Sequence, residues 1–221
     1  MRALRLALAQ MNPTVGDTDG NADIMLGLIE RAREQGADLI AFPELAVTGY
    51  PPEDLLFKRQ FLADARSATE RVIRASQGIA VIVGTPDVRD GKTASEPYPN
   101  PVHGRLYNGA AVGFDGELVD LYHKIFLPNY GVFDEDRYFK GGKVCPVYTI
   151  NGVGVGVNIC EDIWYSVGPI AVQRGAGAEV IVNINASPYH AGKSSYRERM
   201  VATRAADNGV YIAYLNTVGG Q

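Results

Sequence analysis

The first 42 residues read as strand, helix, strand, and that order restricts the chain to folds built on parallel sheet. Residues 4–10 are an apolar run of strand length, and a turn is expected from Asn12-Pro13 to Gly16. Asn21 or Asp23 stands where it can cap a helix that places Ile24, Met25, Leu28, Ile29 and Ala32 on one face, with Gly36 to close it. Residues 38–42 form the next strand and stop at Pro43-Glu44. Two strands joined through a helix are expected to be parallel neighbours.

The remainder mixes this unit with hairpins. A second helix is expected near residues 54–75 and a third strand at 79–84; residues 90–101, rich in Gly, Pro, Ser and Asn, read as an exposed loop. Asp115-Gly116 joins strands 107–114 and 117–122, and Asn151-Gly152 joins strands 147–150 and 153–159. A helix is expected after Cys160, ending near Gly175, then a strand at 180–184. Ser195-Tyr196-Arg197-Glu198 has the form of a capping box that opens a helix closed by Asn208-Gly209, and 210–216 is the last strand. The sum is a layered α/β domain with one mixed sheet or two. Its length, 221 residues, suits a single domain, and no repeat or linker divides it. The end at Gln221, directly after a strand, suggests a fragment whose further residues lie beyond it.

Composition removes several classes of function. A net charge of -4 with scattered Lys and Arg offers no footprint for nucleic acid or an anionic membrane. Apolar runs are of strand length, too short to span a bilayer, and the N-terminus lacks a signal-peptide pattern, so a cytoplasmic protein with reduced thiols is expected. His103, His123 and His190 lack ligand spacing, and no metal site is expected. Gly152 to Gly156 alternates with Val and reads as a strand, not a dinucleotide loop; Gly-x-Ser-x-Gly and Walker patterns are absent.

Three strand ends carry chemistry. Cys160 follows the apolar run 153–159 and precedes Glu161-Asp162 and an expected helix. Such an elbow exposes a side chain beside backbone N–H groups, and a helix N-terminus lowers a thiol pKa. From position alone, a small buried hydrophobe is an equal reading; for Cys145, in a Gly/Lys-rich loop, it is the better one. Glu44, after Phe42-Pro43, puts a carboxylate at a strand end where it could act as a base, or as a loop cap. Lys124 ends a third strand among Ile125, Phe126 and Leu127, so its ammonium is expected to be buried, where it could stabilise a thiolate or an oxyanion. A base, a cation and a thiol make a coherent nucleophilic set.

Phe42-Pro43-Glu44, Tyr122-His123-Lys124 and Asn158-Ile159-Cys160-Glu161-Asp162 resemble, in order and separation, the three motifs of the nitrilase superfamily of carbon–nitrogen hydrolases. The stretches 44–56, 127–135, 185–189 and 216–221 narrow the resemblance to the N-terminal glutaminase domain of glutamine-dependent NAD synthetases. The resemblance implies an α-β-β-α sandwich with mixed sheets, truncated at the C-terminus, and a Glu44-Lys124-Cys160 site that hydrolyses the amide of L-glutamine. By position it also implies that Tyr130, Ser187, Lys193, Glu161 and Trp164 contact that substrate. Ser187 beside Pro188 also reads as a turn residue, and Lys193 as a solvated loop lysine. Glu135 resembles a carboxylate that fixes the lysine, although Asp134-Glu135-Asp136 reads equally as an exposed acidic loop. No cofactor is implied for this domain. By the same resemblance, ATP and Mg are expected only in a synthetase domain of the same polypeptide, expected to lie outside these 221 residues, and a homo-oligomer is expected. A stand-alone amidase or N-carbamoyl amino acid hydrolase of the same superfamily is the alternative.

Overall fold

Two mixed sheets pack face to face, and helices cover their outer surfaces. The computed structural model describes residues 3–89 and 106–219. The expected loop at 90–101, His103 and the terminal Gly220-Gln221 lie outside the described residues. In the first sheet, β1 (Leu6–Leu8), β2 (Leu39–Ala41) and β3 (Ala80–Val88) are parallel, and β4 (Leu106–Phe114) and β5 (Glu117–His123) are added antiparallel. In the second, β6 (Val147–Ile150) is antiparallel to β7 (Val153–Ile159), which runs parallel to β8 (Val180–Asn185) and β9 (Tyr211–Asn216). Asp115-Gly116 and Asn151-Gly152 make the hairpin turns, all four residues at positive φ (50°, 85°, 49° and 76°), as the turn chemistry requires.

The strand alternation decides the layers. Leu39, Ala41, Ala80, Ile82, Ala110 and Tyr122 face inward and meet Val155, Val157, Ile159, Val182, Ile184 and Leu215 of the other sheet. On the outer face of the first sheet, Ile40, Val81 and Val83 pack against Met25 and Ile29 of α1 (Thr18–Glu34) and Val72 of α2 (Arg59–Arg74). Ile170 of α3 (Pro169–Gly175) covers Ile181 of the second sheet, and α4 (Lys193–Asn208) lies beside β9. This is the α-β-β-α order that the sequence motifs implied.

Helix starts differ from the expectations. Asp17, not Asn21 or Asp23, caps α1, its Oδ1 accepting from Gly20 N at 2.9 Å. Asn21 is buried and ties Thr14 to Val47, its Nδ2 donating to both carbonyls (2.8 and 3.1 Å). The expected helix at 54–75 breaks at an extended Lys58 into a 3-10 turn, Glu53–Phe57, and α2. The helix expected after Cys160 is a single 3-10 turn, Cys160–Ile163; α3 starts only at Pro169, whose ring suits a first helical turn. The Ser195-Glu198 box does not open α4, which begins at Lys193 after a left-handed Gly192 without a side-chain cap. Gly209, left-handed at φ 59°, closes it as expected.

Gly84 of β3 fixes the turn that follows β2. A Cβ there would lie 2.0 Å from Pro43 O and 2.5 Å from Leu45 N, and Gly84 O accepts from Val47 N at 3.2 Å. Backbone meets backbone, so nothing flexible can yield. Gly84→Ala is expected to destabilise the fold by about 2–3 kcal/mol, read as a lower urea midpoint at unchanged m-value.

Candidate active site

Each of the three strand ends turns sharply into the cleft between the sheets. After β2, Ala46 N donates to Pro43 O (3.3 Å) and Leu45 takes φ 47°, which sends the fully buried Glu44 side chain inward. After β5, the Lys124 backbone is clamped from both sides: its N–H donates to Asn108 O (2.9 Å) and its carbonyl accepts from Gly142 N (2.8 Å). After β7, Cys160 itself adopts φ 44°, a left-handed conformation that costs a non-glycine residue about 1 kcal/mol or more. Strain of this kind belongs to an elbow that presents one side chain.

Lys124 is the hub. Its Nζ donates to Glu44 Oε1 at 2.7 Å and to Glu135 Oε1 at 2.8 Å, with all three side chains buried. Asn108 Nδ2 donates a second bond to Glu44 Oε1 (2.7 Å), and Ala186 N donates to Glu44 Oε2 (3.0 Å). Tyr50 OH donates to Glu135 Oε1 at 3.0 Å. Burial opposes the Lys124 ammonium, but Glu44 and Glu135 outweigh it and hold the pKa well above the usual lysine value. Burial, aided by the Glu44 carboxylate, pushes Glu135 up to about 7 against the pull of Lys124. Of the two readings of Glu135, the buried lysine partner is the observed one; its neighbours Asp134 and Asp136 are exposed.

The buried Cys160 thiol senses the charges of Glu44, Lys124, Glu135 and Glu161. The expected low thiol pKa is not found. Burial and Glu44 raise it well above the usual value, and Lys124 is the countering charge. The physical reason lies in the fold: the thiol is buried beside the Glu44 carboxylate, which disfavours the thiolate, and only a four-residue 3-10 turn, Cys160–Ile163, starts at it in place of the expected helix. Both cysteines are free, and Cys145 is only part-buried.

The remaining sequence candidates make separate pair contacts. Glu161, 5% exposed, accepts from Tyr130 OH through both oxygens (3.0 and 2.9 Å), although Tyr130 itself is 57% exposed. Ser187 is buried; its N–H donates to Asn216 Oδ1 (2.8 Å), and its Oγ accepts from Arg197 Nη2 (3.0 Å). Trp164 stacks on Tyr196, and Lys193 Nζ lies over the Trp164 ring at 5.0 Å from its centroid. Lys193 thus pairs with Trp164, outside the Glu44–Lys124–Glu135 row. Among the described residues, no group of three His, Cys, Asp or Glu side chains is placed to hold a metal ion.

Sequence reasoning did not single out Asn108, Tyr50, Asp162 or Arg197. Asn108 left a signal, a polar side chain inside an apolar strand. Tyr50 and Arg197 lie 85 and 10 residues from their partners in the chain, and no local pattern announces such pairings.

A family model described as carbon-nitrogen hydrolase matches residues 5–221. The chain is 46% identical over 222 residues to a glutamine-dependent NAD(+) synthetase of Xylella fastidiosa, covering 99% of this chain and 38% of that protein. It is 43% identical over 224 residues to the Thermotoga maritima protein of the same name, covering 100% and 36%. Among solved structures, the glutamine-dependent NAD+ synthetase of Acinetobacter baumannii, in complex with ADP, superposes with TM-score 0.88 at 36% identity, over 99% of this chain and 39% of that one. An amidase from Nesterenkonia sp. superposes with TM-score 0.80 at 25% identity, over 98% and 77%. The chain therefore spans somewhat under two fifths of the length of these synthetases.

Removing the hub cation has a defined signature. Lys124→Met leaves Glu44 and Glu135 buried without their partner, at an expected cost of about 3–5 kcal/mol near pH 8. Glu135, already raised to about 7, rises further without the ammonium and takes up a proton in the folded state. A carboxyl whose folded pKa exceeds its unfolded one gains stability as pH falls. The deficit is therefore expected to shrink between pH 8 and pH 5, as measured by urea unfolding at both.

Proposed function

The chain belongs to the carbon–nitrogen hydrolase family, and we propose that it is the glutamine-hydrolysing part of a glutamine-dependent NAD synthetase, with Glu44, Lys124 and Cys160 as its catalytic residues. The observation that carries this reading is the Lys124–Glu44 contact, 2.7 Å and buried, beside the strained Cys160 elbow. Glu44 Oε1 is occupied by Lys124 and Asn108, whereas Oε2 accepts one backbone N–H and keeps a lone pair for a proton.

The proposed reaction runs in two halves. Glu44 takes the Cys160 proton as Sγ bonds to the side-chain amide carbon of L-glutamine, and the oxyanion is held by Lys124 and a backbone N–H after Cys160. The C–N bond then breaks, Glu44 returns the proton to the leaving ammonia, and a thioester remains. Water, losing a proton to Glu44, attacks the thioester; the C–S bond breaks, Glu44 returns the proton to Cys160 Sγ, and glutamate leaves. Glu135 orients Lys124. Tyr130, Glu161, Trp164, Ser187 and Lys193 hold the amino-acid end of the substrate.

On this reading residues 1–221 are one glutaminase domain. The ammonia serves a synthetase domain of the same polypeptide, which makes NAD from nicotinate adenine dinucleotide and uses ATP and Mg, and the protein is a cytoplasmic homo-oligomer. Among the described residues no helix is long and apolar enough to cross a membrane. The Nesterenkonia amidase shares the fold, so a stand-alone amidase is the second reading. Cys160→Ala is expected to remove glutamine turnover, by on the order of 10⁶-fold if it acts as nucleophiles in comparable triads do, while calorimetry still detects glutamine binding. Equal turnover of simple amides and glutamine by the unaltered protein would favour the second reading.

A further inference from the structure

Asp162 has no part in that scheme, yet it is fully buried and accepts four hydrogen bonds. Its Oδ1 accepts from Ile125 N (3.0 Å) and Phe126 N (2.9 Å), the two residues after Lys124. Its Oδ2 accepts from Tyr122 OH (2.7 Å), two residues before Lys124, and from Ile159 N (3.0 Å), the residue before Cys160. One carboxylate thus bonds the chain on both sides of the lysine and the entrance to the cysteine elbow. Tyr122 belongs to the first sheet and Ile159 to the second, so the bonds span the cleft between them.

We propose that Asp162 is a positioning residue that locks the Lys124 turn onto the Cys160 elbow and so fixes the ammonium against the thiol. The proposal rests on the Glu44-Lys124-Cys160 reading. Two backbone donors on one oxygen fix the carboxylate plane, and the two on the other hold the elbow and the strand at that angle. Burial pushes the Asp162 pKa up to about 6, so the acceptor form is the major one at pH 7–8. The side chain touches neither the proposed substrate-binding residues nor Glu44 through any of these bonds. Its loss should act through the placing of Lys124, on the chemical step and on the thiol, and not on glutamine affinity.

Asp162→Asn tests this. The amide keeps one oxygen for Ile125 and Phe126, but its NH₂ cannot accept from Ile159 N. Two readouts are compared with the unaltered protein and with Lys124→Met: steady-state glutamine hydrolysis, and the pH dependence of iodoacetamide alkylation at Cys160, followed by mass spectrometry of its peptide. The Lys124 charge favours the thiolate, so displacing it should move the alkylation midpoint to higher pH, as Lys124→Met does. The kcat should fall about 10²-fold at little-changed KM, the size of effect expected for an ångström-scale misplacement. Tyr122→Phe removes a single bond and keeps the buried ring, so it is expected to fold and to shift the midpoint in the same direction by less. If Asp162→Asn does not fold, Tyr122→Phe decides alone. Alkylation profiles of the folded variants that superimpose on the unaltered protein, while Lys124→Met moves, would overturn the proposal. Failure of the unaltered protein to hydrolyse glutamine would instead count against the proposed function, and the alkylation comparison would still decide the role of Asp162.

Discussion

One ammonium buried between two carboxylates organises this molecule. A buried ion pair contributes little net stability, because desolvating its charges cancels most of the attraction. Its consequence here is geometric. The Lys124 nitrogen draws together residues 80 and 11 positions away in the chain, and each carboxylate is fixed by further donors: Asn108 and Ala186 on Glu44, Tyr50 on Glu135. Removing one charge from such a row exposes the others, so the arrangement holds as a whole or not at all. Glu135, raised to about 7, gives the row a place to carry a proton near neutrality, which limits its net negative charge.

The sheets supply what the ion row needs. Glu44 and Lys124 stand at ends of the first sheet and Cys160 at an end of the second, so packing the two sheets face to face completes the set. The turns are tight enough to need special backbone, with positive φ at Leu45 and Cys160 and no room for a Cβ at Gly84. The thiol is buried and its pKa raised. On the proposed chemistry Cys160 therefore rests protonated at neutral pH, and proton transfer to Glu44 must accompany attack. A resting thiol is also protected from the oxidation that a permanent thiolate invites.

Elements defined by local rules were legible in the sequence: the two hairpins through Asp115-Gly116 and Asn151-Gly152, the apolar strands, and the close of α4 at Gly209. Helix starts were less so, because several residues at each start satisfy the same local rule. Asn21 looked like a cap and is instead a buried tie between two loops, and Ser195-Glu198 had the form of a box but lies inside α4. Motif order announced the three strand-end residues. Their supports were silent, since a partner such as Tyr50 for Glu135 is chosen by the packing of distant segments. The raised thiol pKa was equally silent, because it comes from burial and from the distant Glu44 carboxylate, neither of which a local pattern at Cys160 announces.

The proposed substrate-binding residues bear on the choice between glutamine and a simpler amide. The Nesterenkonia amidase has the same fold at 25% identity, so the fold does not select the substrate. A neutral amide needs only the nucleophile, the base and an oxyanion partner. Here there are also a buried Glu161 with Tyr130 on its carboxylate and a buried Ser187, one residue after the Ala186 N–H that holds Glu44, bonded to the Arg197 guanidinium. Burying a carboxylate beside the site costs free energy that a neutral substrate does not return. An α-amino acid brings an ammonium that can offset the Glu161 charge and a carboxylate that can meet a guanidinium. On the proposed reading, the Glu161 carboxylate and the Arg197 guanidinium on Ser187 suit a zwitterion with an amide at its far end, which is the chemical description of glutamine.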